Sequence, residues 1–181
     1  MKRKKASKRK RGSTVKRSPR RSARAKGNRS ARRIDVRLKG ITQTEPPINS
    51  NPGDLSAGFR GRLDAALAVL VQAGTPFKLV EGFRTQERQQ WLYGSGRPNV
   101  QPYGRPGPIL TNADGVNRLS KHQGNGSAGS GKAADCYPKH GPIPPATDPV
   151  WEAYALAVEA QGLVAGHHWT KLKDSPHSEL T

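Results

Sequence analysis

Apolar residues recur at helical spacing from Phe59 through Leu63, Ala66, Leu67 and Leu70, the mark of one buried helix face. The stripe predicts a helix that Asp54 or Ser56 can cap, running to about Ala73 and stopped by Gly74. Phe77 to Val80 reads as a short strand. Thr85 can cap a second helix through Tyr93, ending at Gly94. Asp148 caps a third, with Pro149 at its first position and Gly162 just past its end. Ala133 to Tyr137, Leu163 to Trp169 and His177 to Leu180 read as further short strands. The Gly- and Pro-bearing stretch Tyr103 to Leu110 and the Gly/Ser stretch Gly124 to Gly131 are loops. There is no internal repeat. Helices beside a small sheet without βαβ alternation predict an α+β fold, a small antiparallel sheet flanked by helices.

Charge divides the chain. The net charge is +19 and hydrophobic residues are 33% of the total. Residues 1–40 hold 19 Lys and Arg against one acid, Asp35, so their balance is +18. The remaining 13 basic residues and 12 acids leave +1 for residues 41–181. A self-repelling run with almost nothing apolar to bury is expected to have no fold of its own. This gives a basic tail over 1–40, a Pro/Asn/Thr-rich linker over 41–53 and a folded domain over 54–181. No apolar run follows the basic start, so it does not read as a secretory signal. The longest apolar stretch, Ala65 to Val71, is too short to span a membrane. One cysteine, Cys136, excludes an intrachain disulfide. It follows Asp135, so on a strand it faces away from that residue, as a small buried apolar group.

The C-terminal half holds metal-ligand residue types. A hydrolytic zinc site needs three ligands from His, Asp, Glu or Cys, an open position for water, and a carboxylate to take the proton. His122, Asp135 and His177 can supply the ligands and Asp174 the base. Five histidines and 13 acids allow many triplets, so residue types alone do not select these.

Four segments, in order, resemble the zinc D-alanyl-D-alanine carboxypeptidases and dipeptidases, and in particular the L-alanyl-D-glutamate peptidases used as phage endolysins. Glu81-Gly82-Phe83-Arg84-Thr85, with Leu92-Tyr93 and Arg97 downstream, is similar to the family's GyRT…LYaqGR stretch. Pro106 to Ala113 is similar to its pG.ivTnA. Ser120-Lys121-His122 and Gly131-Lys132-Ala133-Ala134-Asp135 resemble the two halves of SxHxxGxAxD. Gly162 to Leu180, with Lys173-Asp174-Ser175-Pro176-His177, resembles GLeWGGdW…kDrPHf. The resemblance covers about residues 54–181. It implies that His122, Asp135 and His177 bind Zn2+ and that Asp174 is the catalytic acid/base. It also implies that Arg84 faces the substrate carbonyl, stabilising an oxyanion, and that Ser120 contacts substrate beside the metal.

Three departures matter. Twelve residues separate His122 from Asp135 where the family motif has six. The extra ones lie within Gln123 to Ser130 and are nearly all Gly, Ser, Asn or Ala, so they can bulge as a loop at little closure cost. His167 and His168 replace a Gly/Asp-type stretch and are rival ligands. Ser178 and Glu179 stand where an aromatic and a glutamine are usual. On a regular strand residue 179 shares the face of residue 177 and residue 174 does not, which makes Glu179 a rival base. Pro176 opposes a regular strand at 174–176 and favours Asp174. Arg84 has a plainer reading as an i,i+3 partner of Glu87.

The expected function is a zinc metallopeptidase of peptidoglycan, endolysin-like, cutting stem peptides at the L-alanyl-D-glutamate bond. The alternatives are a D,D-carboxypeptidase acting on terminal D-alanine, or a basic nucleic-acid-binding or virion structural protein with an inactive peptidase-like domain. The tail is expected to bind polyanions, either nucleic acid or anionic cell-envelope polymers. It lacks aromatics for base stacking. A monomer made in the bacterial cytoplasm, reaching the wall on release or carried in the virion, completes the expectation.

Overall fold

The computed structural model describes residues 44–181. The expectations for residues 1–40 lie outside the described residues, as do residues 41–43 of the segment read as a linker. Three helices, α1 (Ala57–Gln72), α2 (Gln86–Tyr93) and α3 (Pro149–Glu159), accompany four strands. The strands are β1 (Phe77–Glu81), β2 (Ala133–Pro138), β3 (Val164–Ala165) and β4 (His177–Glu179). They form one antiparallel sheet in the order β1-β2-β4-β3. This is the α+β architecture that the sequence pattern predicts.

The helix ends follow local chemistry. Ser56 is the N-cap residue of α1, while Asp54 closes a preceding 3-10 turn, Pro52–Asp54. Past the end of α1, Gly74 takes φ +76°, a left-handed conformation that costs glycine nothing. The Thr85 hydroxyl accepts the Arg88 N–H at the start of α2, and the Asp148 carboxylate accepts the Val150 N–H at the start of α3. Residues 45–53 lie against the domain. The Gly82 N–H donates to the Asn49 carbonyl at 2.7 Å, and the buried Arg88 side chain pairs with Glu45.

The stripe of α1 packs into the core through Phe59, Leu63, Ala66 and Leu70. It meets Trp151, Tyr154, Ala155 and Val158 of α3 and one face of the sheet, Ala134, Cys136 and Ala165. Phe77 stacks on Tyr154 with ring centroids 4.8 Å apart and meets Trp151 edge-on at 5.8 Å. Cys136 is buried in this core, and burial pushes its thiol pKa up to about 12. It is an inert apolar side chain, as its strand position predicts.

Strand alternation puts Asp135 on the opposite face from Ala134 and Cys136. Register then assembles a row across that face: Glu81 pairs with Asp135, and Asp135 pairs with His177. Glu81 owes its place to a bulge. Simple alternation from Phe77 and Leu79 would send residue 81 into the core. The register shifts between Leu79 and Glu81, which inserts one residue and turns the carboxylate onto Asp135's face.

One strand differs from expectation. Leu163 to Trp169 does not run as a strand: only Val164–Ala165 pairs with β4, and Gly166–His168 forms a 3-10 turn. The reason is the neighbouring chain. Above His177 it leaves the sheet and crosses Gly166, where a Cβ would lie 2.5 Å from the Asp174 carbonyl oxygen and 2.9 Å from the His177 Cβ. No partner strand remains there, and the Asp174 N–H instead donates to the Gly166 carbonyl at 3.0 Å.

Candidate metal centre

Three donor atoms converge on the polar face of the sheet. His177 Nδ1 lies 3.0 Å from Asp135 Oδ1 and 3.3 Å from His122 Nε2. His122 Nε2 lies 3.5 Å from Asp135 Oδ1. Zinc–ligand bonds of about 2.0–2.1 Å in tetrahedral arrangement place ligand atoms about 3.3–3.4 Å apart. The three observed separations bracket that value. His122 and His177 are buried and Asp135 nearly so.

Each donor is oriented by a partner behind it. His122 sits in a 3-10 turn, Lys121–Gln123, and its Nδ1–H donates to the Gly82 carbonyl at 2.7 Å. Its Nε2 therefore carries the lone pair that faces the other two. His177 Nε2–H donates to Glu179 Oε2 at 3.2 Å, the carboxylate–histidine arrangement that fixes a ligand's tautomer. Asp135 Oδ2 accepts from Arg84 Nη2 at 3.3 Å, which leaves Oδ1 for the cluster. A pair of imidazole nitrogens and a carboxylate oxygen, oriented in this way, suit a zinc-class ion, so the residues present fit the metal that the sequence resemblance implies.

The titration behaviour matches a cationic centre. Burial disfavours charge on both Asp135 and His177, yet their mutual attraction outweighs it. Asp135, beside His122 and His177, is held well below the usual carboxylate range. Asp135 and Glu179 raise His177 to about 9 despite its burial. Without metal, His177 thus holds a proton on Nδ1 among the three donors, where a metal cation would compete with it.

The loop Gln123 to Ser130 closes on itself as its composition predicts. Gly124 has φ +55°, and a Cβ there would lie 1.9 Å from the Ser130 carbonyl oxygen, so only glycine lets the loop ends meet. The Lys132 N–H donates to the Lys121 carbonyl at 2.8 Å just beyond that closure. His122 and Asp135 are thereby brought together across the insertion.

Asp174 lies in the turn before β4 and lines the same cleft of about 620 Å³ as the three donors. Pro176 marks the turn: its carbonyl accepts the Cys136 N–H at 2.9 Å, and β4 begins only at His177. Burial, reinforced by the nearby Asp135 charge, raises the Asp174 pKa above the ordinary carboxylate range. Glu179 also lines the cleft but is committed to His177. Ser120 lines it too, and its buried Oγ has no hydrogen-bond partner.

Arg84 does not pair with Glu87, whose carboxylate instead accepts from the Tyr103 hydroxyl. Its guanidinium binds Glu81 through Nε at 3.1 Å and Nη2 at 2.9 Å, and Gln89 Oε1 through Nη1 at 2.9 Å. The chain Arg88–Glu81–Arg84–Asp135 is a buried polar network behind the donor cluster. Sequence reading missed Glu81 and Gln89. The signal available was the direct attachment of Glu81 to the Gly-Phe-Arg-Thr motif, but its orientation depends on the bulge.

His167 and His168 are not in this cleft. His167 Nδ1 bonds Ser175 Oγ at 2.9 Å, and His168 bonds Glu159 and Glu152 on α3. Because Glu179 orients His177 from behind, Glu179→Gln is expected to weaken metal binding about 10–100-fold while turnover at saturating metal stays close to normal. Metal titration of the stripped variant, with activity followed alongside, checks this. Loss of turnover at saturating metal would instead give Glu179 the role of base.

No family model matches the chain, and no curated protein matches it. Among solved structures, the L-Ala D-Glu endopeptidase ChiX of Serratia marcescens superposes with a TM-score of 0.42 at 21% identity, covering 78% of this chain and 96% of that chain.

Proposed function

We propose that the domain is a zinc-dependent peptidase of peptidoglycan stem peptides, with His122, Asp135 and His177 as ligands and Asp174 as the acid/base. The observation that carries the metal site is the convergence of His122 Nε2, His177 Nδ1 and Asp135 Oδ1 within 3.5 Å of one another, each oriented by a partner of its own. The choice of substrate, and of the L-alanyl-D-glutamate bond within it, rests on the four sequence segments in order.

A zinc ion in such a donor set supplies Lewis acidity, which makes water nucleophilic at neutral pH. Asp174, at the cleft wall, would accept the proton of the attacking water and return it to the departing amine. Arg84 acts first as a positioning residue, holding Asp135 Oδ2 so that Oδ1 faces the histidines. Its charge also lies at the cleft wall, where a substrate carbonyl would gain from it. The Ser120 hydroxyl at the cleft wall has no protein partner; it is buried and would have to turn outward to hydrogen-bond a substrate. Leu110, Leu119 and Leu172 line the cleft and are exposed, giving the peptide an apolar rim.

Purified peptidoglycan, digested with and without a chelator and resolved by mass, tests the proposal. New amino termini at D-glutamate that disappear with the chelator support it. Release of free D-alanine instead would identify a D,D-carboxypeptidase. No product with metal-loaded protein would overturn the enzymatic reading.

The tail's proposed role is electrostatic. Deleting residues 1–40 removes a balance of +18 and is expected to leave hydrolysis of soluble muropeptides unchanged. Binding to DNA, teichoic acid or lipopolysaccharide should weaken and lose most of its salt dependence. Equal salt slopes for the two forms would remove the tail as the anchor.

A further inference from the structure

A second group of ligand-type side chains lies outside the cleft, where α3 meets the Gly166–His168 turn. Glu152, His167 and His168 each offer one ligand atom, and these atoms all lie within 4.8 Å of one another. Glu152 Oε2 is 3.0 Å from His168 Nε2 and 3.6 Å from His167 Nε2. The two values bracket the ligand spacing of about 3.3–3.4 Å set by tetrahedral zinc. The backs of both rings are held. His168 Nδ1–H donates to Glu159 Oε1 at 2.8 Å, and His167 Nδ1 bonds Ser175 Oγ at 2.9 Å. At 3.6 Å, His167 Nε2 is beyond hydrogen-bond reach of Glu152, so that nitrogen faces the carboxylate unpaired.

We propose that Glu152, His167 and His168 form a second site for a zinc-class divalent cation. Glu159 orients His168 in it through Nδ1, as Glu179 orients His177 in the first. Glu152 and His168 are well exposed, so water completes the coordination. Lys173 is the cation that acts on this cluster from nearby, so the site binds more weakly than the buried one. The ion would tie the middle of α3 to the turn that carries His167. That turn holds Ser175, between Asp174 and His177, by hydrogen bond.

The test uses the full chain, stripped of metal and titrated with Co2+ by absorption and with Zn2+ by calorimetry. Two binding events are expected for the natural sequence. The pair His122→Ala/His177→Ala should keep one, the weaker. Adding His168→Ala to that pair should abolish it, and adding Glu159→Gln should weaken it about 10–100-fold. Glu152→Gln, a change at an exposed side chain, serves as the second ligand variant should His168→Ala fail to fold by circular dichroism. If the His122→Ala/His177→Ala pair binds no metal, or its remaining event is unaffected by His168→Ala and Glu152→Gln, the second site does not exist. A single event in the natural sequence that survives His122→Ala/His177→Ala and vanishes with His168→Ala would instead leave this site standing and overturn the first.

Discussion

If the proposed zinc site is right, replacing His122 or His177 with Ala is expected to remove the ion and to lower turnover about a thousandfold or more, since a metal there would contribute several kcal/mol to the transition state. Each variant deletes one of three buried donors that lie within 3.5 Å of one another. After gel filtration, elemental analysis should find one zinc fewer per chain than in the natural sequence. The same site makes binding depend on pH. The His177 pKa of about 9 in the metal-free protein means that metal must displace a proton over most of the physiological range. Apparent affinity should therefore fall as pH falls below that value, by about tenfold per unit while one proton is exchanged. Calorimetry in buffers of different ionisation enthalpy would count the released proton. An unchanged zinc content in the double variant would rule out these ligands.

Asp174→Asn is expected to keep the metal and lose turnover by about 100-fold or more, the usual worth of a general base. Asp174 lines the cleft without a place in the donor cluster, so the change removes proton transfer and leaves the ion. In the metal-free protein the Asp174 pKa is raised by burial and by Asp135. The same shift has a consequence for stability. A carboxyl with a folded pKa above its unfolded one destabilises the fold progressively as pH rises through that interval, and stays unfavourable at neutral pH. Metal-stripped Asp174→Asn should therefore melt at a higher temperature than the stripped natural chain at pH 7. The difference should vanish in acid, where both side chains are neutral. Thermal denaturation at the two pH values checks the sign. An Asp174→Asn variant with near-normal turnover would transfer the role of base elsewhere.

The helices were legible because their signals are local. The apolar stripe from Phe59 to Leu70, the Thr85 and Asp148 caps and Gly74 with its left-handed φ are decided within a turn or two of chain. The α+β class followed from their order. The segment Leu163 to Trp169 was misread as a strand because strand length is set by the partner. Its apolar residues suit a strand, but β4 offers pairing only to Val164 and Ala165.

The candidate site divides along the same line. Residue types and the order of four segments nominated His122, Asp135, His177 and Asp174 from sequence, and Pro176 correctly implied a turn ahead of His177. Sequence favoured Asp174 over Glu179 as base through Pro176 and the family resemblance, but both lie within three residues of His177 and side-chain direction is not written in the sequence. In the fold, Glu179 is spent on His177 Nε2 and Asp174 faces the cleft. Nor could sequence find Glu81, Gln89 or the Glu152–His167–His168 group. Glu81 reaches Arg84 and the face of Asp135 through a bulge in strand pairing. Glu152 meets His167 and His168 through the packing of α3 on a turn. Local sequence determined the elements, their caps and the chemical types on offer. Strand register and helix packing, which join residues dozens of positions apart, decided which of those types share a site.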